Sequence, residues 1–381
     1  MSRTYTNKDT VCVHAGSIPD PNFGGVNSPI FTSSAYEFLG RDHSQYPRYF
    51  NTPNQLAVVD KLCALEEGDA GMVLSSGMAA ISTVLASLLK PGDHVVLQDP
   101  IYGGTHYFAQ TQFAQLGVTH TMVLSEKVED FEAAIQENTK VLYFETPANP
   151  LLNILDIAGM AELSRDKGIT SVIDNTFASP INQNPLTMGV DVVIHSGTKY
   201  LGGHSDLCFG AVITHPEIRD AMQKIAVNWG GSLDAFTCYQ IERSLKTLAL
   251  RVERQNQNAL KVAQALSKST AIDAVYYPGL ESHPGHHLAK GQMKGFGGML
   301  SFNLKDSSIT GQDYCQKLKL IKTAVSLGGV ETTVTIPSMT SHAKMTASER
   351  EKAGISEHLI RLSVGIEDPR DLIADLLQAV D

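Results

Sequence analysis

From Leu56 onward the chain alternates short apolar runs with stretches of helical spacing. That alternation restricts the fold more than any other feature, because strands linked through helices pair in parallel and need cover on both faces. Residues 56–67 read as a helix, 71–75 as a short apolar run, and 78–90 as a second helix that stops at the turn signal Pro91-Gly92-Asp93. Residues 94–98 read as a strand, and further apolar runs follow at 141–145, 171–174, 190–196 and 209–214. The pattern predicts an α/β fold with a mostly parallel sheet in a large domain over residues 56–250. A long amphipathic region, 235–267, with room for breaks, leads into a smaller α+β domain over 251–381. Strands are expected there at 298–304 and 357–364, and 370–380 closes the chain as a helix. Residues 1–55 are rich in Gly, Pro, Asn and Ser and lack periodicity. They read as an extended arm that packs on a neighbouring subunit.

Composition narrows the function. The net charge is −10 and no Lys/Arg run occurs, so a nucleic-acid partner is not expected. Apolar stretches such as 78–89 are interrupted by Ser and Thr and are too short to span a bilayer, and the N-terminus has no apolar signal region. The five cysteines are odd in number, widely spaced and form no CxxC pair, which fits a reducing cytoplasm.

Three local signals point to chemistry. Ser196-Gly197-Thr198-Lys199-Tyr200 follows an apolar strand, where α/β sheets bind ligands. Hydroxyls and backbone N–H groups suit a phosphate, and a lysine beside them suits a carbonyl cofactor. Alone, this pentapeptide fits a surface loop equally well. The run 171–174 ends on Asp174, 25 residues before Lys199. A pyridoxal-phosphate site needs a carboxylate on the pyridinium nitrogen, and Asp174 stands where one would be; by itself it could be a helix cap. Ser75-Ser76-Gly77-Met78 opens a helix after a short strand, and such an N-terminus can hold a phosphate.

The segments SSGMAA, DPIYGGT, FETPANP, VIDNTF, HSGTKYLGGHSD, SLKTLALR and RLSVGIED occur in that order. Together they resemble the Cys/Met-metabolism family of pyridoxal 5'-phosphate (PLP) enzymes, over nearly the whole chain from YPRYFNTPN onward. The resemblance implies an aspartate-aminotransferase-type fold, with 56–250 as the PLP-binding domain, and a homotetramer built as a dimer of dimers. It implies that Lys199 holds PLP as a Schiff base and later carries protons. Asp174 would pair with the pyridine nitrogen, and Tyr102 would stack on the ring and assist acid–base steps. Gly77, Met78, Ser196 and Thr198 would hold the phosphate, and Asn149 would lie near the ring hydroxyl. Tyr46 and Arg48 would reach the phosphate of a partner subunit. Arg361 would clamp the substrate α-carboxylate, with Ser326 helping to place it.

No metal is expected. The cluster His283, His286 and His287 lacks a suitably spaced carboxylate or Cys and reads as a polar loop. Gly295-Phe296-Gly297-Gly298 lacks the full dinucleotide fingerprint, and neither a P-loop nor a nucleophile elbow occurs. Within the resembled family, members acting on cystathionine at Cγ typically carry Glu directly before the serine of SLGG. Here that position is Val325, which implies an apolar substrate tail, as in methionine γ-lyases. Those lyases usually carry Cys in the turn where this chain has Gly104. The expected activity is γ- or β-elimination on methionine- or cystathionine-type amino acids. The alternatives are γ-replacement on an activated homoserine, as in a cystathionine γ-synthase, and a homoserine sulfhydrylase.

Overall fold

The computed structural model describes residues 5–306, 308–343 and 346–380. Helix α1 (Lys8–His14) and a 3-10 turn (Pro47–Tyr49) precede α2 (Pro53–Glu66), β1 (Ala70–Leu74) and α3 (Gly77–Leu88). Then come β2 (His94–Gln98), α4 (Gly103–Gln112), β3 (Thr119–Val123), α5 (Val128–Ala134), β4 (Thr139–Glu145), α6 (Ile157–Lys167) and β5 (Thr170–Asp174). A single turn, α7 (Ser179–Asn182), leads to β6 (Val192–Ser196) and β7 (Gly210–Thr214). Helices α8 (Pro216–Trp229), α9 (Ala235–Leu245) and α10 (Leu248–Leu266) connect to β8 (Ile272–Tyr276), α11 (His286–Gln292), β9 (Met299–Leu304) and α12 (Gly311–Lys317). The chain ends through β10 (Lys322–Thr323), β11 (Thr333–Thr335), α13 (Ala347–Lys352), β12 (Leu359–Ser363) and α14 (Pro369–Gln378).

Two sheets form. The larger has the order β1-β7-β6-β5-β4-β2-β3, and β7 runs antiparallel to both its neighbours while the other pairs are parallel. Alternate side chains of one strand serve opposite cores. Val141 and Tyr143 of β4 pack toward α3 and α8, with Val84, Leu85 and Met222. Leu142 and Phe144 pack toward α6, with Ile157 and Met160. Strands buried on both faces must read as continuous apolar runs, which is the pattern the sequence shows. The smaller sheet, β10-β11-β12-β9-β8, packs one face against α10 and α14 through Phe302, Ile360, Leu362, Val262 and Leu376.

Beyond the two strands expected from the sequence, the smaller sheet also contains β8, β10 and β11. Strand β3 was not anticipated: its residues THTMV carry no apolar run, because it is an edge strand with little to bury. Helix α1 lies inside the N-terminal arm, where Val11 and Cys12 are buried against the core that α2 and α10 share. The long amphipathic region divides at Lys246 and Thr247 into α9 and α10, a break for which its sequence left room. No helix among the described residues is long and apolar enough to cross a membrane.

The C-terminal ends of β5 and β6 are held from below by one buried acid. Glu66, the last residue of α2, accepts from Asn175 Nδ2 (2.9 Å) and meets His195 Nε2 at 2.5 Å. His195 and Glu66 are both fully buried. Removing one member of a buried pair strands the other without compensation. Glu66→Ala should therefore lower the unfolding free energy by about 3–5 kcal/mol, measured by urea titration against the parent protein. A loss below 1 kcal/mol would show that the pair is not what ties α2 to these strand ends.

Candidate active site

Strands β4, β5 and β6 finish side by side on Glu145, Asp174 and Ser196, and a cavity of about 610 Å³ opens beyond them. Ligand crevices of open α/β sheets lie at this edge. Lys199 enters the cavity three residues past β6. Gly77 and Met78 line it from the start of α3, and Tyr102 lines it from the start of α4. Asn149 follows β4. The smaller sheet contributes Arg361 from β12, with Val325 and Ser326 from the segment before β11. Thr198 completes the set, so eleven of the residues singled out from the sequence share one cavity. Tyr46 and Arg48 do not line it. Arg48 stacks over the Tyr46 and Tyr49 rings (5.7 and 5.4 Å to the centroids), and its Nη1 donates to the Val227 carbonyl of its own chain.

Lys199 Nζ donates to Ser326 Oγ at 2.8 Å. Ser326 has φ 79°, a left-handed conformation that a non-glycine residue holds only when its surroundings impose it. Burial, and then the Arg361 guanidinium, push the Lys199 amine down to about 8. Arg361 is buried, its own pKa drawn down to about 10 by burial, and Nη1 donates to Asn149 Oδ1 at 2.8 Å. Burial raises the Asp174 carboxyl; the Thr176 hydroxyl and N–H oppose this, as do His195 and Lys199. Burial, followed by Asp174 and Glu145, raises the Tyr102 phenol, so it stays protonated at neutral pH.

Sequence reasoning assigned no role to Glu145 and Thr176. Glu145 Oε2 accepts the Tyr102 N–H and Oε1 the Asn149 N–H, each at 3.0 Å. Its carboxyl is raised by burial and then by Asp174. The available signal was the one that revealed Asp174: an apolar strand that ends on an acid. Thr176 donates its N–H to Asp174 Oδ1 (3.0 Å) and accepts the Ser196 N–H (2.8 Å), which joins two strand ends. The histidine cluster is occupied locally: His283 Nδ1 accepts the Gly285 N–H, and His286 Nδ1 lies 2.8 Å from the Pro278 carbonyl.

These residues fit pyridoxal 5'-phosphate. The N–H groups of Gly77 and Met78 precede the first backbone bond of α3, from Ala80 N–H to Ser76 C=O, and so suit a phosphate. A Cβ on Gly77 would lie 2.8 Å from that of Ser196, so only glycine lets the helix start reach the end of β6. Asp174 is a buried acid that a ring nitrogen carrying a proton would stabilise. Lys199 is an amine of depressed basicity, suited to a carbonyl carbon. The Thr198 hydroxyl is bound to the Phe209 backbone (3.3 Å).

Residues 9–381 match the sequence profile of the family described as Cys/Met metabolism PLP-dependent enzyme. The chain is 43% identical over 381 residues to a protein named cystathionine gamma-synthase from Mycobacterium leprae, covering 99% of this chain and 97% of that one. It is 41% identical to one named L-methionine gamma-lyase from Fusobacterium nucleatum, with both chains fully covered. The crystal structure of metB from Corynebacterium glutamicum superposes with a TM-score of 0.95 at 39% identity, over 100% of this chain and 99% of that one. With the lysine, the acid and the phosphate cradle in one cavity, the chain belongs to the Cys/Met metabolism family of PLP-dependent enzymes, acts in sulfur amino-acid metabolism, and uses pyridoxal 5'-phosphate as its cofactor.

Proposed function

We propose that the protein is a carbon–sulfur lyase that performs γ- or β-elimination on methionine- or cystathionine-type amino acids, with a preference for tails without a distal charge. One observation carries this reading: the composition of the outer wall of the cavity. Val325 is 73% exposed at the mouth, and Met339 stands beside the cavity in a hydroxyl-bearing segment with Thr340 and Ser341. Among the described lining residues the charged groups are Glu145, Asp174, Lys199 and Arg361, all in the inner part. A valine offers a charged ammonium nothing in exchange for its water, whereas an apolar thioether gains burial at about 0.8 kcal/mol per CH₂.

Bound PLP supplies an electron sink for charge that develops at the substrate Cα. The protein's groups do the rest. Arg361, held by Asn149, takes the α-carboxylate in its planar fork. Lys199 Nζ, oriented by Ser326 and lowered in basicity, accepts a proton from one substrate carbon and returns it to another. Asp174 would hold the ring nitrogen, and the protonated phenol of Tyr102 would cover the ring. Gly77, Met78, Ser196 and Thr198 would hold the phosphate. Glu145 acts on none of these directly. It fixes the backbone at Tyr102 and Asn149, and so sets where a ring and a clamp stand.

A second reading, γ-replacement on an activated homoserine, draws support from the likeness to the Mycobacterium leprae and Corynebacterium glutamicum proteins. Product analysis separates the two: 2-oxobutyrate, pyruvate, ammonia and thiol from methionine, cystathionine and cysteine, set against cystathionine formed from O-succinylhomoserine and cysteine. The first group should dominate. Val325→Glu should shift kcat/KM toward cystathionine over methionine by about tenfold, or about 1.4 kcal/mol. An unchanged ratio would remove position 325 from tail recognition.

Assembly belongs to the same reading. The arm, residues 1–55, exposes Phe23 (91%), Val26 (97%) and Leu39 (83%) in one chain, apolar surface that a neighbour would cover. We place a PLP-binding domain at 56–250 and a C-terminal domain at 251–381, with α10 bridging that division, and a cytoplasmic homotetramer in which Tyr46 and Arg48 serve the neighbour's phosphate. Mixed dimers of Arg48→Ala and Lys199→Ala chains should then regain activity, since one of the two sites keeps both residues. Verified mixed dimers without activity would assign Arg48 to its own chain.

Glu145→Gln tests the positioning role. A glutamine has one acceptor oxygen for two N–H groups and turns its own N–H₂ toward the second. An unsatisfied buried donor costs about 1–3 kcal/mol, so kcat/KM should fall by roughly 5- to 150-fold. Steady-state kinetics within twofold of the parent would show that the two amides need no shared acceptor.

A further inference from the structure

The cavity wall contains a buried polar atom that the fold leaves without a partner. Thr335 of β11 lines the cavity and is 3% exposed, and its Oγ1 makes no hydrogen bond among the described residues. Buried hydroxyls are nearly always bonded, and one left unpaired in a native structure calls for a physical reason. Nothing in packing supplies it, since valine has almost the same shape.

The register supplies a location. Thr335 lies directly opposite Arg361 in the antiparallel β11–β12 pair. Val334 and Ile336 on one side, and Ile360 and Leu362 on the other, all point into the core of the smaller sheet. Side chains alternate along a strand, so Thr335 and Arg361 leave the opposite face together, toward the cavity both of them line. Arg361 carries five N–H donors, and its bond to Asn149 engages Nη1. A carboxylate docked on that guanidinium has lone pairs left over for a hydroxyl donor.

We propose that Thr335 is a substrate-binding residue whose Oγ1 donates a hydrogen bond to the α-carboxylate held by Arg361. The proposal rests on the reading of Arg361 as the carboxylate clamp, and is independent of whether elimination or replacement follows. The threonine uses a lone pair that the guanidinium fork leaves free, and this additional bond limits rotation of the substrate about its Cα.

Two probes without a leaving group isolate the carboxylate: alanine, and ethylamine, which differs only by lacking it. Their dissociation constants are read from the visible absorbance of the PLP-loaded enzyme, in the parent protein and in Thr335→Val, Thr335→Ser and Arg361→Ala. Thr335→Val should weaken alanine about tenfold, the scale of a hydrogen bond to a charged group, and leave ethylamine unchanged. Thr335→Ser should bind alanine within about threefold of the parent, and serves as the folded control because it keeps the hydroxyl. If Thr335→Val leaves alanine unchanged while Arg361→Ala weakens it, Thr335 has no such role and the clamp stands. If Thr335→Val weakens both probes equally, the residue acts through shape and the proposal is overturned. If neither Thr335→Val nor Arg361→Ala changes alanine binding, the clamp reading falls with it.

Discussion

Four ionisable side chains share the inner part of one cavity: Glu145, Asp174, Lys199 and Arg361. Burial is the largest influence on each. It raises the two acids and lowers the two bases, so every one is pushed toward its neutral form. An isolated buried charge would simply neutralise, and the group of four persists because opposite signs and hydrogen bonds offset part of the penalty. The remainder is what makes the site receptive. A cofactor with a phosphate and a protonatable ring nitrogen, followed by a substrate with a carboxylate, brings the complementary charges that the fold does not supply.

Those four groups stay in place through a layer of bonds beneath them. Glu66 at the end of α2 holds Asn175 and His195, the residues next to Asp174 and Ser196. Thr176 ties Asp174 to Ser196, and Glu145 ties the start of α4 to the turn after β4. The chemistry therefore depends on short polar side chains anchored in regular elements, the arrangement that holds a site most firmly.

Likeness over the whole chain identifies the family but not the reaction. Proteins named for synthesis and for elimination lie at nearly the same identity, 43% and 41%. The physical reason is that proton removal at Cα, carboxylate binding and cofactor capture are common to both, and most of the site serves those. The difference rests on the few residues around the substrate tail, of which Val325 is the one with a stated chemical consequence.

The sequence by itself determined what is local. Apolar runs for β2, β4, β5 and β6 were legible because strands buried on both faces carry mostly apolar residues, and Asp174, Lys199 and the start of α3 were legible because they break those runs at the ends. The motif order then carried the family and with it Arg361, Ser326 and Asn149. What the sequence did not display was β3, an edge strand with polar residues, and helix α1, too short to show a period. It also gave no sign that one carboxylate at 145 serves two loops. Only the tertiary structure decided the long-range pairings: Lys199 with Ser326 across 127 residues, Arg361 with Asn149 across 212, and Thr335 beside Arg361. Periodicity reports which face of an element is buried and where the element stops. Which distant residue it meets there is set by how two sheets pack against each other, and no local pattern encodes that.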